Sequence, residues 1–258
     1  MVVASYERVD DFSRGSCFPI VRKKCRAAAL SSRIQPAEGS AMIYDIKWII
    51  PKLRNPTRLW KIASSITVAA VGIFSKIIIA TLDYRHLLDR RKIRWSLTAH
   101  DICFTNTWHS YLFMLGKCIP VIRGAGVYQE AMDFCIEKLA SGDWIHVFPE
   151  GKVNMNKECI RFKWGVGRLI WESPVTPLVI PICHLGMDEV LPNEPPYRLK
   201  LQKKVTMNYG NPIDFNQLIQ ELRASKASDM EARKAITDRL QEEILRLKTA
   251  TEELHQKL

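Results

Sequence analysis

The sequence predicts an α/β protein: a mixed β-sheet flanked by helices, with an N-terminal membrane helix and C-terminal helices. Three observations support this prediction. From about Ile93 onward, short apolar runs typical of buried strands alternate with helical patterns, which indicates a sheet with helices packed on it. A long apolar stretch, Ile62 to Leu82, precedes that region. After it, a capping sequence at Ser228 introduces one amphipathic stripe.

Length, charge and cysteine usage narrow the class of protein. The chain has 258 residues, 47% hydrophobic and 25% charged, which are globular values for one full-sized core with appendages. Its formal net charge of +11 favours an anionic partner, whether nucleic acid, anionic lipid or an anionic substrate. The seven cysteines are scattered without a C-x-x-C, so we predict neither a metal site nor a disulfide framework, and a reducing compartment fits.

Residues 1–42 are predicted to be a disordered or targeting tail. The part from Arg22 to Arg33 is basic, rich in Ala and Ser and free of acidic residues, as organellar transit segments are. The acidic residues Glu7, Asp10 and Asp11 before it fit a solvated tail better. Both interpretations stay open.

Residues 43–82 are predicted to be a basic collar followed by a membrane-inserted helix. The collar residues are Lys47, Trp48, Lys52, Arg54, Arg58, Trp60 and Lys61. The stretch from Ile62 to Leu82 has about the length that crosses a hydrocarbon core, but Lys76 interrupts it and is costly in a spanning helix. We therefore expect a helix that enters one leaflet. A single span and a buried soluble helix are the alternatives.

Residues 83–258 are predicted to be the α/β domain. Its first part, 83–95, is either an amphipathic segment on a lipid surface or a solvated basic face. The predicted strands are Cys118–Ile122, Trp144–Phe148, Leu178–Cys183 and Lys204–Tyr209. The predicted helices are Phe104–Leu115, Val127–Ala140, Val166–Glu172, one that begins at Asp214, and a long one after Ser228.

The turn Phe148-Pro149-Glu150-Gly151 follows one of these strands. Pro149 cannot donate to a central ladder, and Gly151 tolerates backbone conformations that a side chain would block. Glu150 therefore places a carboxylate just past the carboxyl end of a strand, where α/β sheets bind ligands. From these residues alone, an ordinary turn with a solvated Glu is an equal alternative.

Three short blocks at strand ends carry a family resemblance. Gly116–Gly124, Phe148–Gly151 and Val179–Ile182 resemble, in order and spacing, the second, third and fourth motifs of the glycerolipid acyltransferase family. Further runs place the resemblance closest to the coenzyme-independent transacylases of that family. These runs are Asp101–Thr105, Gly142–Met155, Arg161–Arg168 and Gly186–Asn193. The resemblance covers about residues 93–258 and the stretch Trp60–Ile79.

The resemblance implies an enzyme that moves acyl chains between phospholipids and lysophospholipids, remodelling cardiolipin at a mitochondrial membrane, outer or inner, facing the intermembrane space. It implies a membrane surface as partner and no cofactor; self-association stays open. Arg123 and Glu150 match family positions that hold the acceptor's glycerol and phosphate, and an Arg fork suits phosphate oxygens. The substrate-binding residues implied are Arg123, Gly124, Phe148, Pro149, Glu150 and Gly151.

One family motif is missing. The family's first motif is His-x4-Asp, in which the His is the general base and the Asp orients its ring. None of the six histidines has an Asp five positions later; His86 and Asp89 are better explained as a surface i,i+3 pair. We therefore predict no catalytic residue, and a segment lost between the apolar stretch and Lys92 through exon skipping or a gene-prediction error. Such a chain should bind membranes but transacylate poorly or not at all.

Two other functions explain parts of the same sequence. The missing base favours a non-catalytic membrane-bound form that binds lipid or a full-length sibling. A nucleic-acid-binding protein accounts for the charge, but the basic residues cluster around a membrane-length apolar stretch and no recognised nucleic-acid motif is present. We therefore predict no nucleic-acid partner.

Overall fold

The computed structural model describes most of the chain beyond residue 44. The described residues are 2–4, 45–78, 90, 93–156, 158–195, 198–200 and 202–257, with residues 2–4 and 71–78 described by their backbone only. The predicted tail, apart from residues 2–4, and the basic segment 83–89 lie outside them, as does the predicted position of the lost motif.

In the described part of the chain, seven strands form two sheets. They are β1 (Val2–Ala4), β2 (Trp95–Ala99), β3 (Cys118–Val121), β4 (Trp144–His146), β5 (Leu178–Ile180), β6 (Ile182–Leu185) and β7 (Thr206–Tyr209). The larger sheet has the order β3-β2-β4-β1-β5, with β2 parallel to β3 and β4, and β1 antiparallel to β4 and β5. The predicted mixed sheet is confirmed. Strands β6 and β7 form a separate antiparallel pair.

Helices surround these sheets. They are α1 (Ile49–Arg54), α2 (Arg58–Ile78), α3 (His100–Cys103), α4 (Thr107–Leu115), α5 (Glu130–Ala140), α6 (Gly165–Trp171), α7 (Met187–Val190), α8 (Asn216–Ala224) and α9 (Asp229–Lys257). Helix α5 packs on β3 and β4, α4 packs on β3, and α6 contacts both α5 and α9. The core where they meet includes Phe134, Ile145 and Leu169, all fully buried.

Strand β1 differs from the sequence-based prediction. Val2–Ala4 falls in the predicted tail, yet Val3 pairs with Ile145 of β4 on one side and with Val179 of β5 on the other. The reason is long-range: β4 and β5 run parallel to each other two strand spacings apart, about 10 Å, too far for direct hydrogen bonds. Three extended residues satisfy both edges, and Val is favoured in strands.

The strand predicted over Leu178–Cys183 is two strands. Pro181 separates β5 from β6, which belong to different sheets. Proline fixes φ and has no N–H to donate, and the carbonyl of Pro181 instead accepts from Gly210 N at 3.0 Å. Pro120, by contrast, lies within β3 as predicted; β3 is the edge strand of its sheet, where proline is tolerated.

Several helices and strands begin or end at residues other than those predicted from the sequence. The helix predicted from Phe104 begins at Thr107, because Asn106 caps it by accepting from His109 N at 2.9 Å. The helix predicted from Val127 begins at Glu130, and the strand predicted to reach Phe148 ends at His146. The capping box at Ser228 is confirmed: its N–H and hydroxyl both donate to Glu231, whose N–H donates back at 3.3 Å.

The basic collar leads into helix α2, which presents two different faces. Ser64 and Val68 are buried, while Leu59, Ile62 and Ile66 are 79%, 57% and 65% exposed. Within the described residues, no helix combines the length and apolar character needed to cross a membrane. A spanning segment is thus not found there, and the one-leaflet arrangement and the domain boundaries stay predictions.

Candidate active site

The carboxyl ends of three parallel strands define the candidate site. Strand β2 lies between β3 and β4, so the segments that follow the three strands emerge at one edge of the sheet. Arg123 follows β3, Glu150 follows β4, and His100 follows β2 directly. Strands β2 and β3 end level with each other, at Ala99 and Val121, whereas β4 ends at His146, opposite Ser96. The chain then continues from His146 to Glu150 along this edge.

Arg123 lies in a tight turn that a glutamine holds in place. Gly124 adopts φ 87°, a left-handed conformation that glycine reaches without strain. The side chain of Gln129 accepts from Ile122 N at 2.9 Å and donates to Gly126 O at 2.8 Å. Gln129 therefore fixes the loop from the start of α5, a role that no sequence signal indicated.

The guanidinium of Arg123 is 45% exposed and forms an ion pair with Asp101. This hydrogen bond is the main reason that the pKa of the Asp101 carboxyl lies below its ordinary value. Asp101 therefore stays charged and competes with any anion for the Arg123 fork. Asp101 begins the run Asp101–Thr105 that carries part of the family resemblance, but the sequence indicated no role for it.

The turn after β4 is held by backbone bonds. Gly151 N donates to Phe148 O at 3.1 Å, and Lys163 N donates to Pro149 O at 2.8 Å. Gly151 has φ 69°, and a Cβ there would lie 3.2 Å from Lys163 Cγ. Both the conformation and the close approach explain the glycine. Phe148 is 55% exposed beside the turn, its ring 4.6 Å from that of His146.

Glu150 and Arg123 follow strands at the same edge of the sheet, but no hydrogen bond or ion pair joins them. The Oε2 atom of Glu150 is buried and lacks a hydrogen-bond partner within the described part of the chain. The residue lines a cavity of about 30 Å³ against α9, beside Phe162, Ile244 and Lys248. That volume suits a water molecule and not a lipid head group. A buried carboxylate oxygen without a partner is costly and is typical of functional sites.

Two histidines lie near this edge: His146 at the end of β4 and His100 directly after β2. Burial is the largest cause that lowers the pKa of His146 to about 3, so its imidazole is neutral at pH 7. His100 has a side chain only 12% exposed; its Nδ1 is buried without a hydrogen-bond partner in the described residues and lies 4.0 Å from Asp101 Oδ1. Sequence reasoning missed His100, since only the strand order places it between the loops of Arg123 and Glu150.

Comparisons with known proteins identify the family. A family model described as Acyltransferase matches residues 79–185. The chain is 46% identical over 260 residues to tafazzin of Drosophila melanogaster. The aligned region covers 84% of this chain and 69% of that protein. The chain belongs to the tafazzin family of acyltransferases. The family resemblance found in the sequence is confirmed.

Other relatives match shorter parts of the chain. The Dictyostelium discoideum taffazin is 46% identical over 115 residues, 43% of this chain and 40% of that protein. An N-acylphosphatidylethanolamine synthase of Arabidopsis thaliana is 45% identical over 135 residues, 50% of this chain and 48% of that protein. The matched regions therefore cover less than half of the length of each of these two relatives. That the strand-end residues bind substrate stays a prediction.

Proposed function

We propose that this chain is a phospholipid–lysophospholipid transacylase that remodels cardiolipin acyl chains at mitochondrial membranes, and that it transfers acyl chains more slowly than tafazzins that carry the His-x4-Asp motif. The single observation that carries the proposal is the placement of Arg123 and Glu150 at one sheet edge. Arg123 supplies a phosphate fork and Glu150 a carboxylate that accepts from an acceptor hydroxyl.

An apolar surface supports the membrane as partner. Leu59, Ile62 and Ile66 lie on one face of α2 at i, i+3 and i+7 and are exposed. Helix α4, which packs on α2, exposes Trp108 by 85% and Leu112 by 54%. Exposed aliphatic side chains beside a tryptophan, with cations nearby, are typical of helices that lie in a lipid interface.

The alignment supports the proposal that a segment is lost. The comparison with the Drosophila tafazzin runs over 260 residues, yet it covers only 84% of a chain of 258. Since 84% of 258 is fewer than 260, the fly protein has residues in the matched region that this chain lacks. The first motif of the family is predicted in such a segment. Loss of a general base lowers a rate by about 10²–10⁴.

The direct test is transfer of a radiolabelled acyl chain from phosphatidylcholine to lysocardiolipin. We expect detectable transfer at a rate at least about 10²-fold below that of the Drosophila tafazzin assayed in parallel. Inserting the fly residues that have no counterpart here should recover most of this difference. Transfer by the unmodified chain at the fly enzyme's rate would contradict the proposed deficiency.

The alternative is a non-catalytic regulatory form, which the missing base favours. Such a form would bind lipid, or associate with an intact tafazzin, without transfer of its own. Mixing the two proteins on vesicles distinguishes the functions: a regulatory form alters the intact enzyme's rate or co-purifies with it. A slow enzyme only adds its own small rate.

A further inference from the structure

We propose that His100 is the general base for the acyl transfer that this chain still performs, with Asp101 as the residue that positions it. The proposal rests on the transacylase function proposed above. It also departs from the prediction that the chain holds no catalytic residue. The observation behind it is the position of His100 at the end of the middle strand, between the loops of Arg123 and Glu150.

The ring of His100 is mostly buried, and its Nδ1 atom has no hydrogen-bond partner in the described part of the chain. Nδ1 itself is buried, although the side chain keeps 12% of its surface exposed. A buried imidazole N–H without a partner is costly. It is also the atom that an acceptor must hold if Nε2 is to point at a substrate and accept a proton. A general base at this position therefore needs an acceptor for Nδ1–H.

Asp101 is the carboxylate within reach. Its Oδ1 is 4.0 Å from His100 Nδ1, beyond hydrogen-bonding distance, while its Oδ2 is bonded to Arg123. A substrate phosphate that binds Arg123 competes for the same guanidinium. Binding therefore loosens Asp101 from Arg123 and allows its carboxylate to accept from His100 Nδ1–H. Substrate binding and orientation of the base are then linked through one side chain.

The proposed acyl transfer needs only the donor phospholipid and the acceptor lysophospholipid. His100 Nε2 takes the proton of the lysophospholipid hydroxyl as its oxygen attacks the ester carbonyl carbon of the donor phospholipid, forming the new C–O bond. The tetrahedral intermediate collapses by breaking the donor's C–O bond. His100 then returns the proton to the departing oxygen, which leaves as the hydroxyl of a new lysophospholipid.

The test uses the full chain with radiolabelled phosphatidylcholine and lysocardiolipin vesicles. H100A and H100Q should each lower kcat by about 10²-fold while vesicle binding stays within twofold of the wild type. Added imidazole should restore part of the H100A rate, which a purely structural role would not produce. H109Q is the matched control: His109 is exposed on α4, bonded to Thr105, and its removal should leave the rate unchanged.

Asp101 is tested by non-additivity. D101N alone should lower kcat by about tenfold, and H100A/D101N should be no slower than H100A, because the carboxylate acts only through the ring. Thermal unfolding of each variant shows whether it is folded, and H100Q preserves more of the ring's volume than H100A if the latter unfolds.

The outcomes separate this inference from the proposed function. If H100A and H100Q transfer within twofold of the wild type, or if they lose vesicle binding together with transfer, His100 is not the base. A wild-type chain that binds lysocardiolipin vesicles but transfers nothing above a protein-free blank also overturns the role of His100, and it favours the regulatory form. Failure to bind these vesicles at all overturns the proposed function itself.

Discussion

Two arginines of this chain are held in opposite ways. Arg168, on α6, is 7% exposed and donates to Glu172 at 2.8 Å, to Asp133 at 2.5 Å and to Val127 O at 2.8 Å. Arg123, after β3, is 45% exposed and pairs with one carboxylate, Asp101. The first guanidinium has its donors shared among three elements of the fold. Within the described residues, the second has Asp101 as its one ion-pair partner.

The difference separates stability from binding. A buried cation must have partners because desolvation is costly, so Arg168 ties α6 to α5 and to the loop before it. An exposed pair contributes little to stability, so Arg123 is free to exchange its partner. Close packing accompanies the first region: a Cβ on Gly167 would lie 2.4 Å from Arg233 O of α9.

The largest expected effect is on stability. R168A removes a buried guanidinium and leaves Asp133 and Glu172 without their partner, which should lower the free energy of unfolding by about 3 kcal/mol. R123A should change it by less than about 0.5 kcal/mol. Denaturant unfolding of both variants measures this difference. Equal losses of unfolding free energy in R168A and R123A would mean that the two arginines contribute alike to stability.

The reverse contrast is expected in lipid binding. R123A removes the phosphate fork and should weaken binding to lysocardiolipin vesicles by about 2 kcal/mol, or about 30-fold. R123K keeps the charge but not the bidentate geometry and should fall between. R54A is the control, since Arg54 is exposed but engaged with Glu130 and Glu137. An R123A chain that binds as well as the wild type would remove Arg123 from the site.

Acid should affect the strand-end region through His146. The pKa of its imidazole is lowered to about 3, chiefly by burial, from an ordinary value of 6.5. Between those values the unfolded chain binds a proton that the folded chain does not, so stability falls as the pH falls. From pH 7 to pH 5 this group should cost about 2 kcal/mol. Comparing wild type with H146Q at both pH values isolates the effect, and parallel losses in the two proteins would exclude it.

The smallest contrast concerns the two partner carboxylates. D133N weakens a bond to a buried guanidinium and should cost about 1 kcal/mol of stability. D101N weakens an exposed pair and should cost at most about 0.5 kcal/mol. Thermal unfolding compares the two. A larger loss for D101N would mean that Asp101 supports the fold and not the ring of His100.

Local chemistry explains which predictions succeeded. The capping box at Ser228, the edge proline in β3 and the glycine of the Phe148–Gly151 turn depend on residues a few positions apart, so periodicity and turn chemistry were enough. The break at Pro181 was missed because an apolar run looks the same whether one sheet or two sheets receive it. Strand β1 was missed because its partners, Ile145 and Val179, are far away in sequence.

By itself, the sequence determined the family, the positions of Arg123 and Glu150 in turns after strands, and the absence of a His-x4-Asp pair, because each depends on residue identity and short spacing. Only the tertiary structure decided what lies between those turns. Pairing of β2 with both β3 and β4 places His100 at the shared edge, and the ion pair to Arg123 ties Asp101 to it. Such neighbours are set by which strands pair, and pairing depends on contacts between residues remote in the chain.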